Sequence, residues 1–208
     1  MTDWIQETLY SNGTLKNKLH ITDAKELQNL EMNITAQKSY IFLDQQPKIE
    51  RLYDLSIIHK FLFSNLYDWA GKYRKGNMYK GNTEFMEHER FDFATINIDK
   101  QLNRVKQIAK PTSKDYAELL DSINYMHPFR EGNGRSTRLF LQALAANHGQ
   151  FLDYSRHDKE LIEAEHNADI DKLAQLITVE NHKTEIDAFE AIKKARYMKY
   201  KRMRDLER

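Results

Sequence analysis

Helix-breaking residues are scarce in this chain, and that scarcity constrains its fold more than any other feature. Seven glycines and three prolines are spread over 208 residues, which favours long helices over a turn-rich β fold. Where breakers do fall, they bracket apolar residues at helical spacing. Pro47 and Gly71 enclose Leu52, Leu55, Ile58, Phe61, Leu62, Leu66 and Trp69, which predicts one amphipathic helix that Gly71 terminates. Upstream, Ser11-Asn12-Gly13 carries turn chemistry, and Thr22-Asp23 is suited to cap a helix bearing Leu27, Leu30 and Ile34. Downstream, helices are expected over about 93–110, 115–126, 135–147, 157–180 and 184–205, with Pro111 and Gly149 as stops. The period fades only over about 73–91. There, two Gly-Asn pairs and interleaved aromatics read as two short extended pieces joined by a turn, the one hairpin expected in the chain. The predicted class is all-α, a helical bundle with one small β-hairpin.

The length suits one well-buried core and is short for two. The expected organisation is an N-terminal segment with the first helix (1–48), a core (49–180) and a basic C-terminal helix (181–208). Hydrophobic residues at 40% and charged residues at 30% are ordinary for a globular protein. A formal charge of +1 argues against a dedicated nucleic-acid binder, which would carry a strong basic excess. With no cysteine, disulfides and thiolate metal sites are excluded. Met1 to Tyr10 holds neither a basic n-region nor an apolar run, and no stretch approaches the ~20 apolar residues of a membrane span. The expectation is a cytoplasmic protein with no membrane and no direct nucleic-acid partner. From Lys193 to Arg208, eight Lys or Arg stand against two acids, which reads as a solvated helix end whose cations suit the C-terminal dipole.

One run carries chemistry: His127-Pro128-Phe129-Arg130-Glu131-Gly132-Asn133-Gly134-Arg135-Ser136-Thr137-Arg138. Gly132 and Gly134 permit backbone angles closed to other residues, so amides of this stretch can point into one concavity. A helix starting near Arg135 adds its N-terminal dipole and makes an anion hole. Arg135 and Arg138 are i, i+3 on that helix, and their guanidinium forks suit phosphate oxygens better than lysines would. Gln142, one turn further on the same face, is a candidate for reaching a nucleobase edge. Glu131 supplies a carboxylate which, with substrate phosphates, makes the usual site for Mg²⁺. His127 has the intrinsic pKa to accept a proton near neutral pH, and Phe129 reads as an apolar anchor. Each of these alone has a structural explanation. Together at fixed spacing they point to polyphosphate binding and proton abstraction from an attacking group.

The run matches His-x-Phe-x-(Asp/Glu)-Gly-Asn-Gly-Arg-x-x-Arg at every specified position, and on it the chain resembles the Fic family. Leu66-Tyr67-Asp68-Trp69-Ala70-Gly71 with Arg74 is similar to the family's upstream helix end, and Thr14-Leu15-Lys16-Asn17-Lys18 to the opening of many bacterial members. The resemblance covers about residues 14–180. It implies the helical Fic fold and transfer of AMP from ATP to a Tyr, Thr or Ser hydroxyl of a target protein. On that analogy His127 deprotonates the hydroxyl and Glu131 holds Mg²⁺ at the α- and β-phosphates. The backbone of Gly132, Asn133 and Gly134 cradles the phosphates, and Arg135 and Arg138 neutralise the β and γ groups. The hairpin falls where the family carries its flap, which binds a target segment by β-augmentation; Lys80, Thr83 and Phe85 are the target-binding candidates in it.

Doc-like kinases of the family carry lysine at the second glycine of the anion hole, so Gly134 favours the orientation for AMP transfer. Many Fic proteins also carry an inhibitory helix, (Ser/Thr)-x-x-x-Glu-(Gly/Asn). Thr22-x-x-x-Glu26 is followed by Leu27 and Thr83-x-x-x-Glu87 by His88, so neither completes it. The chain thus resembles the toxin half of toxin–antitoxin pairs. That implies a small antitoxin supplying the glutamate to Arg138 in trans, with gyrase B or the topoisomerase IV subunit ParE as target. The rival expectations are transfer of another nucleotide, an exported effector and a non-catalytic ATP-binding scaffold.

Overall fold

The computed structural model describes residues 4–80, 83–154 and 158–206, with the side chains of Lys80, Thr83, Asp158 and 199–206 outside the description. In chain order these residues form a one-turn α1 (Trp4–Glu7), α2 (Ala24–Asp44), α3 (Tyr53–Phe63), strands β1 (Tyr79–Lys80) and β2 (Thr83–Glu84), α4 (Phe91–Gln107), α5 (Ser113–Met126), α6 (Asn133–Asn147), β3 (Gln150–Asp153), α7 (Asp158–His166), α8 (Ile170–Leu176), β4 (Thr178–Asn181) and α9 (Glu185–Leu206). The mainly helical class read from the sequence is the one observed.

The centre is α6, which begins inside the chemical run. Leu139, Phe140, Leu141, Ala143, Leu144, Ala145 and Ala146 are all buried, and a helix apolar on so many sides needs neighbours all round. It has them in α3, α5, α9 and β3. Phe42 and Leu43 of α2, Leu120 and Ile123 of α5, and Phe189 and Ile192 of α9 join the same core. Local signals fix the helix starts. Asp23 accepts from the Glu26 amide at 2.8 Å, and Thr112 and Asp115 form a reciprocal capping box at α5. No helix among the described residues is long and apolar enough to cross a membrane.

Two expectations need correction. The helix after Pro47 ends at Phe63, not at Gly71. Beyond it the chain turns, with the Leu66 and Tyr67 amides donating to Phe63 O at 2.9 and 3.0 Å. Gly71 (φ +79°) then lies against α3, where a Cβ would sit 2.6 Å from Lys60 Cβ. Leu66 is nevertheless fully buried; the turns preserve an inward direction that the sequence reads as continued helix. The second correction concerns strands. The hairpin forms as expected, Tyr79 pairing with Glu84 and Lys80 with Thr83, but β3 and β4 make a further antiparallel pair from Gln150↔Asn181 to Asp153↔Thr178. β4 lies in what reads as helix over 157–180. Its exposure is mixed, with Val179 the half-buried position, so it shows no strong period-two pattern.

Candidate active site

Helix α5 delivers His127 by ending on it. The His127 backbone is left-handed, φ 44° and ψ 60°, a conformation that costs a non-glycine residue about 1–2 kcal/mol. Arg74, only 2% exposed, compensates from beneath. Its Nε donates to His127 O at 2.9 Å, Nη2 to Met126 O at 3.3 Å, and its amide to Pro128 O at 2.8 Å. The same guanidinium donates to Gly76 O at 2.6 Å and to Met86 O, the two chains flanking the hairpin. One buried cation therefore joins the hairpin to the base of the loop, and burial lowers its pKa to about 10.

The imidazole of His127 has a defined tautomer. Its Nδ1 lies 3.3 Å from Asn124 O, and a carbonyl can only accept, so the proton sits on Nδ1. Phe85 stacks on the ring with centroids 3.7 Å apart and planes 13° apart, which fixes its plane. Phe85 is itself buried, at 4% exposure. The structure thus places this flap candidate against His127. Lys80 and Thr83 are opposite one another in the strand pair, and their side chains lie outside the description.

The loop is pinned at Phe129 and Gly132. Phe129 is fully buried, its ring stacked on His59 at 3.8 Å. The Asn133 side chain grips the Phe129 backbone at both ends, accepting from its N–H at 2.9 Å and donating to its carbonyl at 2.8 Å. Gly132 is left-handed (φ +78°), and a Cβ there would overlap the Phe63 ring. His59, fully buried, accepts the Gly71 N–H on Nδ1 at 2.8 Å. Its Nε2 must therefore carry the proton that it donates to Glu131 O at 2.9 Å. Burial holds this ring neutral and pushes its pKa down to about 4.

Helix α6 starts at Asn133 with Gly132 as its N-cap, so the amides of Asn133, Gly134 and Arg135 have no carbonyl within the helix to bond. Gly134 is exposed, and a Cβ there would meet nothing within 4 Å. These amides and the helix dipole make an open anion cradle. The Glu131 side chain is 48% exposed, and its Oε1 accepts the Gly132 N–H at 2.9 Å. Among the described residues no three His, Cys, Asp or Glu cluster as a metal cage. A single half-exposed carboxylate beside a helix N-terminus is a donor set suited to a hard cation that takes most of its ligands from phosphate and water.

The two arginines diverge. Arg135 reaches Glu31 of α2 and lies over the Phe63 ring, 4.9 Å from its centroid. Arg138 stands 3.9 Å from Glu165 of α7. Gln142 is placed elsewhere than its helical face suggested. It is buried, its carbonyl accepts the Leu152 N–H at 3.2 Å and its amide donates to Leu152 O. The arrival of β3 uses both ends of that side chain. The sequence singles out neither Glu31 nor His59, and marks Tyr67 and Arg74 only as parts of the upstream segment that resembles the family. The available signal was a polar side chain on an apolar helix face, as with Glu31 one turn after Leu27 and His59 beside Ile58.

A helix start with amides unbonded within the helix, preceded in the same short run by a carboxylate and a histidine, is an arrangement suited to nucleotide phosphates. The Fic/DOC family model matches residues 50–145. The y4lH protein of Sinorhizobium fredii, named a probable protein adenylyltransferase, is 30% identical over 166 residues, covering 73% of this chain and 82% of that one. The chain belongs to the Fic/DOC family. The protein adenylyltransferase VbhT of Bartonella schoenbuchensis is 30% identical over 155 residues, 71% of this chain and 32% of the relative, so this chain spans about a third of that protein. The crystal structure of the effector BepC from Bartonella tribocorum, with bound AMPPNP, shares the fold at a TM-score of 0.74 and 23% identity, covering 85% of this chain and 98% of that one.

Proposed function

We propose that this chain is a protein adenylyltransferase that moves AMP from ATP to a Tyr, Thr or Ser hydroxyl of a target protein. The observation that carries the reading is the start of α6, where the Asn133, Gly134 and Arg135 amides have no carbonyl within the helix to bond, directly after Glu131 and in the same short run as His127. His127 Nδ1–H donates to Asn124 O at 3.3 Å, which makes Nε2 the basic nitrogen of the ring. The hydroxyl oxygen attacks the α-phosphorus, the bond from that phosphorus to the β-bridging oxygen breaks, the hydroxyl proton passes to His127 Nε2, and pyrophosphate leaves. The amides of Asn133, Gly134 and Arg135 hold phosphate oxygens, and Arg135 and Arg138 neutralise the departing charge. Glu131 would hold a Mg²⁺ ion, which when bound would supply charge neutralisation to the phosphates. ATP as donor is supported by the adenylyltransferase names of the relatives and by the AMPPNP in BepC.

The hairpin edge at Tyr79–Glu84 is suited to take a target segment as an added strand, with Lys80 and Thr83 alongside it. By the family resemblance, the targets are gyrase B or ParE of the cytoplasm, and a small antitoxin restrains the enzyme by presenting a glutamate to Arg138. Incubation with α-labelled ATP, Mg²⁺ and a bacterial lysate tests the reading. Labelled bands at the masses of those subunits are expected, and their absence alongside other labelled bands would replace the target assignment and leave the chemistry.

A further inference from the structure

The contact between Arg135 and Glu31 has a built structure behind it. Glu31 is 6% exposed. Its Oε1 accepts from Arg135 Nη2 and its Oε2 from the Tyr67 hydroxyl. Tyr67, 2% exposed, is stacked on Trp69 with centroids 4.3 Å apart. Burial and then the Glu31 carboxylate raise the Tyr67 pKa, keeping it a donor. The carboxylate is thus gripped from behind. Arg135 remains 35% exposed and faces a cleft of about 510 Å³ lined by Thr14, Leu27, Gln28, Glu31, Glu131 and Arg135 among others. Glu131 Oε1 stands 3.5 Å from the same Nη2. Two carboxylates compete for one nitrogen, and the buried one is closer.

We propose that Glu31 and Tyr67 are positioning residues for Arg135. They hold its guanidinium by one edge, present the remaining N–H groups to the donor's phosphates, and limit its pairing with the metal-binding carboxylate Glu131 to the longer contact at 3.5 Å. The inference rests on the adenylyltransferase reading. An unanchored arginine loses rotamer freedom when it captures an anion, and an anchored one has already lost it. Without the Glu31 charge, the nearest carboxylate is Glu131 at i, i−4. Arg135 then closes on it, and a phosphate-binding cation and a metal-binding carboxylate are quenched together. Repulsion of phosphate by Glu31 opposes this. That charge, however, is buried at 6% exposure and is neutralised by the guanidinium and the Tyr67 hydroxyl, so anchoring prevails.

The test is calorimetric titration of Mg²⁺–ATP, and separately AMP, into the wild type, Glu31→Gln, Tyr67→Phe, Arg135→Ala and the Glu31→Gln/Arg135→Ala double variant, with Tm recorded without nucleotide. Glu31→Gln is expected to weaken ATP about tenfold and Tyr67→Phe about threefold. AMP affinity should be unchanged, the Mg²⁺ needed for half-maximal ATP binding should rise, and the double variant should bind ATP no more weakly than Arg135→Ala. A loss confined to the folded fraction or shared equally by AMP indicates a merely structural role and overturns the inference. So does tighter ATP binding in Glu31→Gln, which would make Glu31 a brake. If the wild type itself does not bind ATP, or Arg135→Ala binds as well as the wild type, the functional reading fails instead. Should Glu31→Gln not fold, Tyr67→Phe, which removes one oxygen, decides by the same ATP-versus-AMP split.

Discussion

Replacing Gly134 by alanine should make the protein more stable and nearly inactive, while the same change two residues earlier should unfold the site. Gly134 lies in the first turn of α6, is not among the positive-φ glycines, and has nothing within 4 Å of a built Cβ. Alanine there gains helix propensity, about 0.5 kcal/mol this close to the helix start, which raises Tm by about 1–2 °C for a chain of this size. The open space is where phosphate must approach the amides, and a methyl group in it displaces the reacting phosphorus. A misplacement of about 1 Å costs on the order of a hundredfold in rate. At Gly132 the terms reverse. The left-handed backbone costs alanine about 1–2 kcal/mol, and overlap with the Phe63 ring, whose Cε1 lies 3.0 Å from the built Cβ and other atoms nearer, adds about 1–3 kcal/mol. Tm should fall by roughly 10 °C. Thermal melts by circular dichroism, paired with turnover of labelled ATP, read both arms. A stabilised Gly134→Ala with full activity would place the phosphates elsewhere, and an unchanged Tm in Gly132→Ala would refute the loop packing.

Other outcomes follow from the buried polar groups. His59 is held neutral, with a pKa of about 4 against 6.5 in the unfolded chain, so its contribution is fully present above pH 6.5 and lost as pH falls toward 4. That is at most about 3 kcal/mol. His59→Gln, which does not titrate, should be less stable at pH 7.5 and converge on the wild type by pH 4.5 in denaturant titrations; parallel curves would refute the assignment. Arg74→Lys cannot reproduce four side-chain bonds to carbonyls, and Tm should drop by roughly 8 °C with faster hydrogen exchange at the Phe85 and Met86 amides. Unaltered exchange there would mean that the hairpin is held by something else. Phe85→Leu removes the ring on His127, and kcat should fall about tenfold with ATP affinity unchanged. A change in affinity alone would show that Phe85 serves the nucleotide rather than the base.

The parts of the account that were legible in the sequence are those written locally. The helices α2 and α5 carry their caps at Asp23 and Thr112 within a few residues of their apolar positions, and the candidate site's chemistry is contiguous from His127 to Arg138. What holds that chemistry in place is not local. Glu31 meets Arg135 across 104 residues, His59 meets Glu131 across 72, and Arg74 meets His127 across 53. A single sequence shows such residues only as polar groups in apolar surroundings, without their partners. Gln142 illustrates the converse. Its position on the helix is read correctly, but its partner is the backbone of a strand whose mixed exposure gives no pattern. Leu66 and Trp69 keep an inward direction through turns, so spacing alone extends α3 past its true end at Phe63.

The most direct measurement is label transfer to protein in parallel reactions with ATP labelled on the α- or the γ-phosphate, each with wild type and His127→Ala. The account expects α-label on protein, none from γ-label, and loss of the α-signal in the variant. Transfer of γ-label would mean that the nucleotide sits reversed in the cradle, and α-transfer surviving in His127→Ala would remove the histidine from the chemistry.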